Sequence, residues 1–320
     1  LRRVNIPADS KLQIIDKEAF ASTSINDIII QSQVTKIGKK SFESCGLLTK
    51  VEIANDSQLL IIDKNAFNLV KLESFTIPSK LIEFNDEHRF RCTKVNVSPE
   101  NPNFHVYDDK LVFRKSSLEL ENFDEVVFCV KNVETVTIPD FIQRIRPWTF
   151  RDHCELKHVD ISHVSSLRII GKSAFSKTSI KSIRIPSQVT VIEAHAFDSC
   201  SNLRKVEIPS DSKLQIIGDE SFSCTSIASI TIPSHTTIIG NDAFSYCNQL
   251  KRVEIYHNSD LQIIGDRAFF ESPIERIFIP SKVTEIRRDA FYKCKKLEIV
   301  DISSDSMLQI IEERAFYETP

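Results

Sequence analysis

The stretch IKSIRIPSQVTVIEAHAFDSCSN (180–202), followed by LRKVEIPSDSKLQIIGDESFSCTS (203–226), decides the fold, because most of the chain repeats it. Each half opens on an apolar residue, alternates apolar with polar residues, and reaches a Phe near its end. Together the two halves give a period of 47 residues. Internal similarity at a fixed period is typical of a solenoid, in which each repeat covers the apolar edge of its neighbour.

One phenylalanine marks each repeat and is called here the anchor Phe. Apart from one gap, successive anchors are alternately 22 and 25 residues apart. The anchors are Phe20, Phe42, Phe67, Phe150, Phe175, Phe197, Phe222, Phe244, Phe269, Phe291 and Phe316. Upstream of an anchor, residues 203–208 show the alternation of a half-buried strand. Pro209 then ends that strand, since Pro has no N–H for the ladder. The residues around each anchor are predicted to form one helical or 3₁₀ turn.

About thirteen strand signals recur, so the sequence predicts a single solenoid over residues 1–320. Its fold class is a β-rich α/β solenoid, a superhelix of stacked repeats. We expect a long parallel sheet on one face and short strands or 3₁₀/helical turns on the other. The chain begins with Leu1 and shows no polar cap at either end, so we expect it to be a fragment of a longer array.

Residues 98–130 interrupt the repeat spacing. This segment opens with a turn cluster (99–103) and contains two stretches of strand character, around 106–113 and 126–130. We predict a hairpin-like insertion. It is either a structural variant that re-registers the solenoid or a protruding contact loop, since insertions in repeat proteins often map to binding surfaces.

Composition excludes several classes of protein. The 320 residues are 41% hydrophobic and 27% charged, with only 6 Gly and a net charge of −3. The apolar fraction argues against disorder, and the near-neutral charge gives no electrostatic footprint for nucleic acid. The apolar runs are far shorter than the ~18 residues that predict a membrane span.

The pattern L-x-x-V/I-x-I-P, then V-T-x-I-G, then A-F-x-x-C, resembles the BspA-like leucine-rich repeats. Alternate repeats that begin with Thr-Ser-Ile (178–180 and 225–227) are similar to the protist versions of the family. The resemblance covers nearly the whole chain. It implies a leucine-rich-repeat superhelix used for adhesion or ligand binding at the cell surface or after secretion, with a protein ligand on a host cell or in the matrix. It implies no catalytic residues and no cofactor.

Most of the eight cysteines lie two to four residues after an anchor Phe and therefore recur at the repeat spacing. Cys200, Cys247 and Cys294 are two repeats apart, about twice the ~4.8 Å between strands, whereas disulfides need Cα atoms within ~7 Å. This ladder is predicted to stay unlinked and buried. The irregular Cys129, or the neighbourhood of Cys200, Cys224 and Cys247, is the possible exception.

Other reactive residues do not form a recognisable site. His153, His158 and His163 lie near Cys154, but His158 is at an outward strand position, His163 lies beyond that strand, and no C-x-x-C pair accompanies them, so we predict no metal site. The match to S-x-x-K at 210–213 recurs as related loops at 8–11 and 304–307, which indicates a turn in which Asp and Ser bond nearby backbone. We predict that the chain is not an enzyme.

Residues between the apolar strand positions point off the sheet, so the repeats should align them into two outward columns. These columns and the insertion supply the candidate partner-binding residues Arg252, Glu254, Arg276, Phe278, Ile299, Lys205, Glu207, Phe104 and Tyr107. Exposed aromatic and Arg groups are typical of binding hot spots. The other interpretations are a merely solvated face, or coverage of Phe278 and Ile299 by the next part of the parent protein.

Three functions follow from these patterns. The first is a non-enzymatic recognition or adhesion module at the cell surface. The second is a structural spacer or stalk that presents another domain, which the monotony of the columns would suit. The third is an intracellular protein-interaction scaffold, which unpaired cysteines permit.

Overall fold

The computed structural model describes residues 1–85 and 90–320. The chain forms two compact units, Leu1–Val133 and Glu134–Pro320. In both, a repeat contributes one longer strand and one two-residue strand that precedes the anchor Phe. A single solenoid over 1–320 stays a prediction, but each unit is built from parallel β-repeats.

The first unit holds eleven strands within its described residues. They are β1 (Ile14–Ile15), β2 (Asp27–Ile30), β3 (Lys36–Ile37), β4 (Lys50–Ile53), β5 (Ile61–Ile62), β6 (Lys71–Ile77), β7 (Glu83–Phe84), β8 (Arg91–Val97), β9 (Phe104–Tyr107), β10 (Leu111–Arg114) and β11 (Glu125–Cys129). The long strands β2, β4, β6 and β8 pair in that order as a parallel sheet, and so do the short strands β1, β3, β5 and β7. The strands β9, β10 and β11 pair antiparallel.

The second unit holds sixteen strands. They are β12 (Thr135–Ile138), β13 (Arg144–Ile145), β14 (His158–Ile161), β15 (Ile169–Ile170), β16 (Ser182–Arg184), β17 (Val191–Ile192), β18 (Lys205–Glu207), β19 (Ile216–Ile217), β20 (Ser229–Ile232), β21 (Ile238–Ile239), β22 (Arg252–Ile255), β23 (Ile263–Ile264), β24 (Arg276–Ile279), β25 (Glu285–Ile286), β26 (Ile299–Ile302) and β27 (Ile310–Ile311). The short strands, from β13 to β27, form one continuous parallel ladder.

The long strands of the second unit form three separate sheets rather than the expected long one. The sheets are β12–β14, β16–β18 and β20–β22–β24–β26, so pairing stops after β14 and again after β18. These strands have three or four residues, and Pro186 and Pro209 follow β16 and β18 closely. Because Pro donates no ladder hydrogen bond, strands this short have few bonds with which to hold a continuous sheet.

The core of each unit is a column of stacked anchor Phe rings. The rings of successive anchors are nearly parallel, with centroids 4.9–5.4 Å apart, in Phe20–Phe42–Phe67 and from Phe150 through to Phe316. Phe42, Phe222 and Phe244 are among the anchors with no exposed surface. Offset stacking adds to the apolar area that each ring buries, so the regular spacing in the sequence becomes a continuous core.

The turn around each anchor Phe is not helical, which corrects the predicted helical or 3₁₀ turn and the α/β class. The described residues contain no helix. Lys40 and Ser44, two residues either side of Phe42, have φ of 58° and 60°. The N–H groups of Lys40, Phe42 and Ser44 donate to carbonyls of the next repeat at 2.8–3.2 Å. Because every second N–H bonds a neighbouring repeat, no internal helical ladder can form.

Left-handed residues flank every one of the eleven anchors at the same two positions, and Gly fills neither. The slot that Gly does favour, four residues before the anchor, has no positive φ. A Cβ placed on Gly240 would lie 2.6 Å from the backbone nitrogen of Asp219 in the preceding repeat. Glycine is therefore used here because the backbones of neighbouring repeats approach closely, not for its left-handed freedom.

The insertion is an antiparallel three-stranded hairpin structure formed by β9, β10 and β11. Asp108 and Asp109, both with φ of 51°, close the turn between β9 and β10. Asn101 holds the start of the insertion against the preceding repeat, because its side-chain N–H group donates to the carbonyl of Pro78 at 2.6 Å. These three strands lie within residues 98–130, where the sequence predicts the hairpin-like insertion.

Candidate functional site

The long-strand sheets present two outward columns in the expected register. In the first unit, Asp27 pairs with Lys50, and Ser74 pairs with Lys94. In the second, the partners of the first column are Thr135 with His158, Ser182 with Lys205, Ser229 with Arg252, Arg252 with Arg276, and Arg276 with Ile299. Burial alternates along these strands, with the column residues outward. The spacing in the sequence is therefore sufficient to align the columns.

Ion pairs neutralise most of the charge on this face. Lys205 contacts Glu207 two residues along β18, and this hydrogen bond lowers the pKa of the Glu207 carboxyl. Arg184 lies 3.6 Å from the same carboxylate. Arg252 and Glu254 are 4.0 Å apart on β22. Because these side chains are exposed to solvent, the pairs add little to the stability of the fold, and their main effect is to fix the charge pattern.

The C-terminal candidates form one exposed cluster on the sheet β20–β26. Arg276 donates to Asp301 at 3.0 Å across the β24–β26 pair. Phe278 is half-buried, with its ring centroid 4.4 Å from that of His257. Ile299 is 43% exposed. The cluster therefore combines an arginine, a partly covered aromatic ring and an exposed aliphatic side chain.

The two candidate residues in the insertion pack against the protein and do not form an exposed contact surface. Phe104 is 2% exposed, and Tyr107 stacks on Phe113 with ring centroids 5.1 Å apart. The exposed apolar residues of the insertion are Leu118 and Leu120 instead, in the loop between β10 and β11. The prediction that Phe104 and Tyr107 offer a binding surface stays untested by any bound partner, but Phe104 is buried in this conformation.

A groove that the sequence did not indicate opens on the long-strand sheets of the second unit. Its volume is about 660 Å³, and it is lined by the ends of β12 and β14 together with β16 and Glu207 of β18. It lies where pairing between β14 and β16 stops. Short outward side chains, Thr137, Asp160 and Ser182, line it. The short side chains at these outward positions of three successive long strands are the sequence signal that could have located the groove.

All eight cysteines are free thiols, and most are structural. The Cys247 thiol donates to the Phe222 carbonyl at 3.1 Å and lies 3.3 Å from the Thr225 hydroxyl. The same thiol-to-carbonyl bond recurs at Cys45, Cys200 and Cys294. Burial raises the pKa of the Cys247 thiol to about 12. The expected buried, unlinked ladder is thus confirmed, whereas Cys154 and Cys224 are exposed.

Thiol titration should separate these two groups of cysteines. At pH 8 in buffer, we expect a fast reaction of two thiols, Cys154 and Cys224, with a disulfide reagent such as Ellman's reagent, and of all eight after unfolding in urea. Buried thiols react slowly because they are inaccessible, and at Cys200, Cys247 and Cys294 burial also raises the thiol pKa, which leaves little thiolate. The variant Cys224→Ser should leave one fast thiol. Rapid reaction of the ladder cysteines in buffer would contradict the packing.

The remaining reactive residues do not converge. His153 is buried and His158 lies exposed on β14. Among residues 1–85 and 90–320, no three His, Cys, Asp or Glu side chains are placed to hold a metal ion. The S-x-x-K loop is a turn, as predicted: the Ser212 hydroxyl is buried and accepts from the Leu214 N–H at 3.2 Å. The same serine bond recurs at Ser10, Ser57, Ser165, Ser259 and Ser306.

Parallel strands repeated with one anchor Phe per turn, and polar residues set out in columns rather than a pocket, define a leucine-rich-repeat β-solenoid. The BspA type leucine-rich repeat region matches residues 1–96, 121–251 and 215–320, in six copies. The chain therefore belongs to the BspA-type leucine-rich repeat family, which confirms the resemblance in the sequence. Proteins of this class are in general protein-interaction modules and typically non-enzymatic.

Solved structures share the fold. The pneumococcal vaccine antigen PcpA is 20% identical, over 95% of this chain and 72% of that chain, with a TM-score of 0.68. A leucine-rich repeat protein from Bacteroides ovatus is 20% identical, over 96% and 80%, with a TM-score of 0.58. A leucine-rich cell surface protein from Faecalibacterium prausnitzii is 22% identical, over 92% and 66%, with a TM-score of 0.56. No curated protein matches the chain. Among the described residues, there is no helix that could span a bilayer.

Proposed function

We propose that this chain is a non-enzymatic protein-binding module that acts in adhesion at the cell surface, with a host-cell or matrix protein as its partner. The observation that carries the proposal is the pair of outward columns on the long-strand sheets. Side chains repeat there at strand spacing and are exposed on a rigid scaffold. A solenoid sheet of this kind offers an extended surface, which suits a macromolecular partner better than a small substrate.

The cluster of Arg276, Phe278 and Ile299 supports a location for that contact. Arg and aromatic residues near the centre of an interface supply most of its binding free energy. Phe278 is held by His257, and Arg276 by Asp301, so both side chains are largely ordered before a partner arrives. Ordering in advance lowers the entropic cost of association.

The surface location rests on the relatives. One similar solved structure is described as a cell surface protein and another as a vaccine antigen. Both are similar in fold at 20–22% identity. The same family resemblance is the ground for placing this chain at the cell surface or outside the cell.

Binding to immobilised fibronectin, laminin and fixed host epithelial cells tests the proposal. We expect saturable binding of the 320-residue chain, weakened about 10-fold or more by Phe278→Ala or Arg276→Ala, as at a hot spot. Arg288→Ala is the matched control, because Arg288 is exposed and ion-paired outside the long-strand sheets. Absence of binding to all three probes would overturn the adhesion function, and equal effects of the three variants would overturn the location.

The free thiols favour a second function, an intracellular protein-interaction scaffold. Six of the eight cysteines are buried and none is linked in the structure, which suits a reducing compartment. A spacer or stalk remains the alternative if the columns bind nothing. Detection of the full-length protein on intact, non-permeabilised cells would favour adhesion, and detection only after permeabilisation would favour the scaffold.

A further inference from the structure

The groove on the long-strand sheets of the second unit carries negative charge that its neighbours leave unmatched. Asp140 and Asp160 both line it. Across the described residues, neither carboxylate has an ion pair or an accepted side-chain hydrogen bond, and Asp140 is exposed. Arg184, the cation that lines the groove, forms an ion pair with Glu207 at 3.6 Å.

Other acidic residues of the same outward column have a cation beside them. Glu52 contacts Lys50, and Glu207 contacts Lys205. Glu254 lies near Arg252, and Asp301 near Arg276. On three of these strands the cation stands two residues before the acid. On β14 the corresponding pair is His158 and Asp160, so this strand has neither Lys nor Arg at the position where its counterparts carry the cation.

The floor of the groove is aliphatic. Ile161 of β14 is 7% exposed, Val159 of the same strand 8% and Ile183 of β16 2%, and all three line the groove. A long basic side chain suits such a surface, because its methylene stem covers apolar area while its charged end reaches a carboxylate. A volume of about 660 Å³ leaves room for one extended segment rather than for a folded domain.

We propose that this groove receives a lysine or arginine side chain from an extended segment of the protein partner, with Asp160 and Asp140 as the groups that bind the cation. The inference rests on the proposed function, because it assigns one contact within a protein-binding surface. Complementary charge of this kind contributes specificity and association rate more than raw affinity. The carboxylates stay solvated until a partner covers them, so the contact should weaken as salt rises.

Peptide titrations followed by amide chemical shifts of the 320-residue chain test the groove. The probes are two nonapeptides, Ac-SVTVKVTVS-NH₂ and the same peptide with norleucine in place of lysine. We expect the lysine peptide to shift the amides of Thr137, Asp160, Ser182 and Arg184, with about 5–20-fold weaker binding for Asp160→Asn. Asp211→Asn is the matched control, since Asp211 is an exposed aspartate outside the groove, and it should bind as the parent does.

The possible outcomes separate this inference from the broader function. Equal shifts from the norleucine peptide, shifts spread over acidic side chains elsewhere, or unchanged binding by Asp160→Asn would each overturn the groove assignment. Full binding of Asp160→Asn to fibronectin, laminin or host cells would also overturn it and leave the adhesion module intact. Selective shifts from the lysine peptide, with weaker binding by Asp160→Asn, would support it even where none of those proteins is the partner.

Discussion

Replacement of Phe222 by alanine should lower the free energy of unfolding by about 3–5 kcal/mol. The Phe222 ring has no exposed surface and stacks on Phe197 and Phe244, with centroids 5.1 and 5.4 Å away. Truncation removes both stacking contacts and leaves a cavity that the neighbouring rings cannot fill, because their backbones are tied into the repeat ladder. Urea unfolding followed by circular dichroism measures the change.

Phe141→Ala is the matched control for that substitution. Phe141 belongs to the same unit but is 49% exposed and is not an anchor. We expect its substitution to change stability by no more than about 0.5 kcal/mol, as is usual for exposed positions. If the two variants unfolded at the same urea concentration, the stacked column would not be the main source of stability.

Replacement of Gly240 by alanine should destabilise the chain by about 1–3 kcal/mol, although it adds a single methyl group. The new Cβ would lie 2.6 Å from the backbone nitrogen of Asp219 and 2.7 Å from the carbonyl carbon of Gly218. Backbone atoms cannot swing away as a side-chain tip can. Relief therefore requires two neighbouring repeats to separate. Thermal unfolding by calorimetry would show the loss as a lower Tm.

Gly46→Ala provides the comparison for Gly240→Ala. A Cβ at Gly46 meets nothing within 4 Å, and its φ is not positive. Alanine there should leave stability unchanged or raise it by about 0.4–1 kcal/mol, through the lower entropy of the unfolded chain. A similar loss of stability in both variants would show that backbone approach is not what selects glycine at position 240.

The architecture of the repeats could be predicted from the sequence because it depends on spacing alone. The spacing of 22 residues between anchors places Phe222 on Phe244, and the recurrence of the strand pattern after 24 residues places Arg252 opposite Arg276. The turn was predicted wrongly because its left-handed residues carry no signal. Lys40, Trp148 and Arg267 are not residues that favour positive φ, which costs about 1–2 kcal/mol for most side chains. Hydrogen bonds to the next repeat impose the left-handed conformation, and no local sequence pattern predicts these bonds.

The candidate site was predictable where it follows the columns and not where it depends on pairing between strands. The register of Arg276 and Ile299 follows from the repeat. Phe104 was expected at a contact surface, but pairing of β9 with β10 buries it, which spacing could not reveal. The groove arises where β14 and β16 cease to pair, and this depends on the balance of a few hydrogen bonds.

The bonds in the anchor turns have a direction. In the turns around Phe20 and Phe42, and in those from Phe150 to Phe291, three N–H groups donate to the repeat that follows, as those of Lys40, Phe42 and Ser44 do. An upstream repeat therefore satisfies the turn carbonyls of its successor, whereas a downstream repeat satisfies the turn N–H groups of its predecessor. Any segment that closes an array of this kind at its downstream end must offer three backbone carbonyls at ladder spacing. A segment that closes the upstream end must offer three donors. The two caps cannot be interchanged, and concatenated arrays can be joined in one orientation.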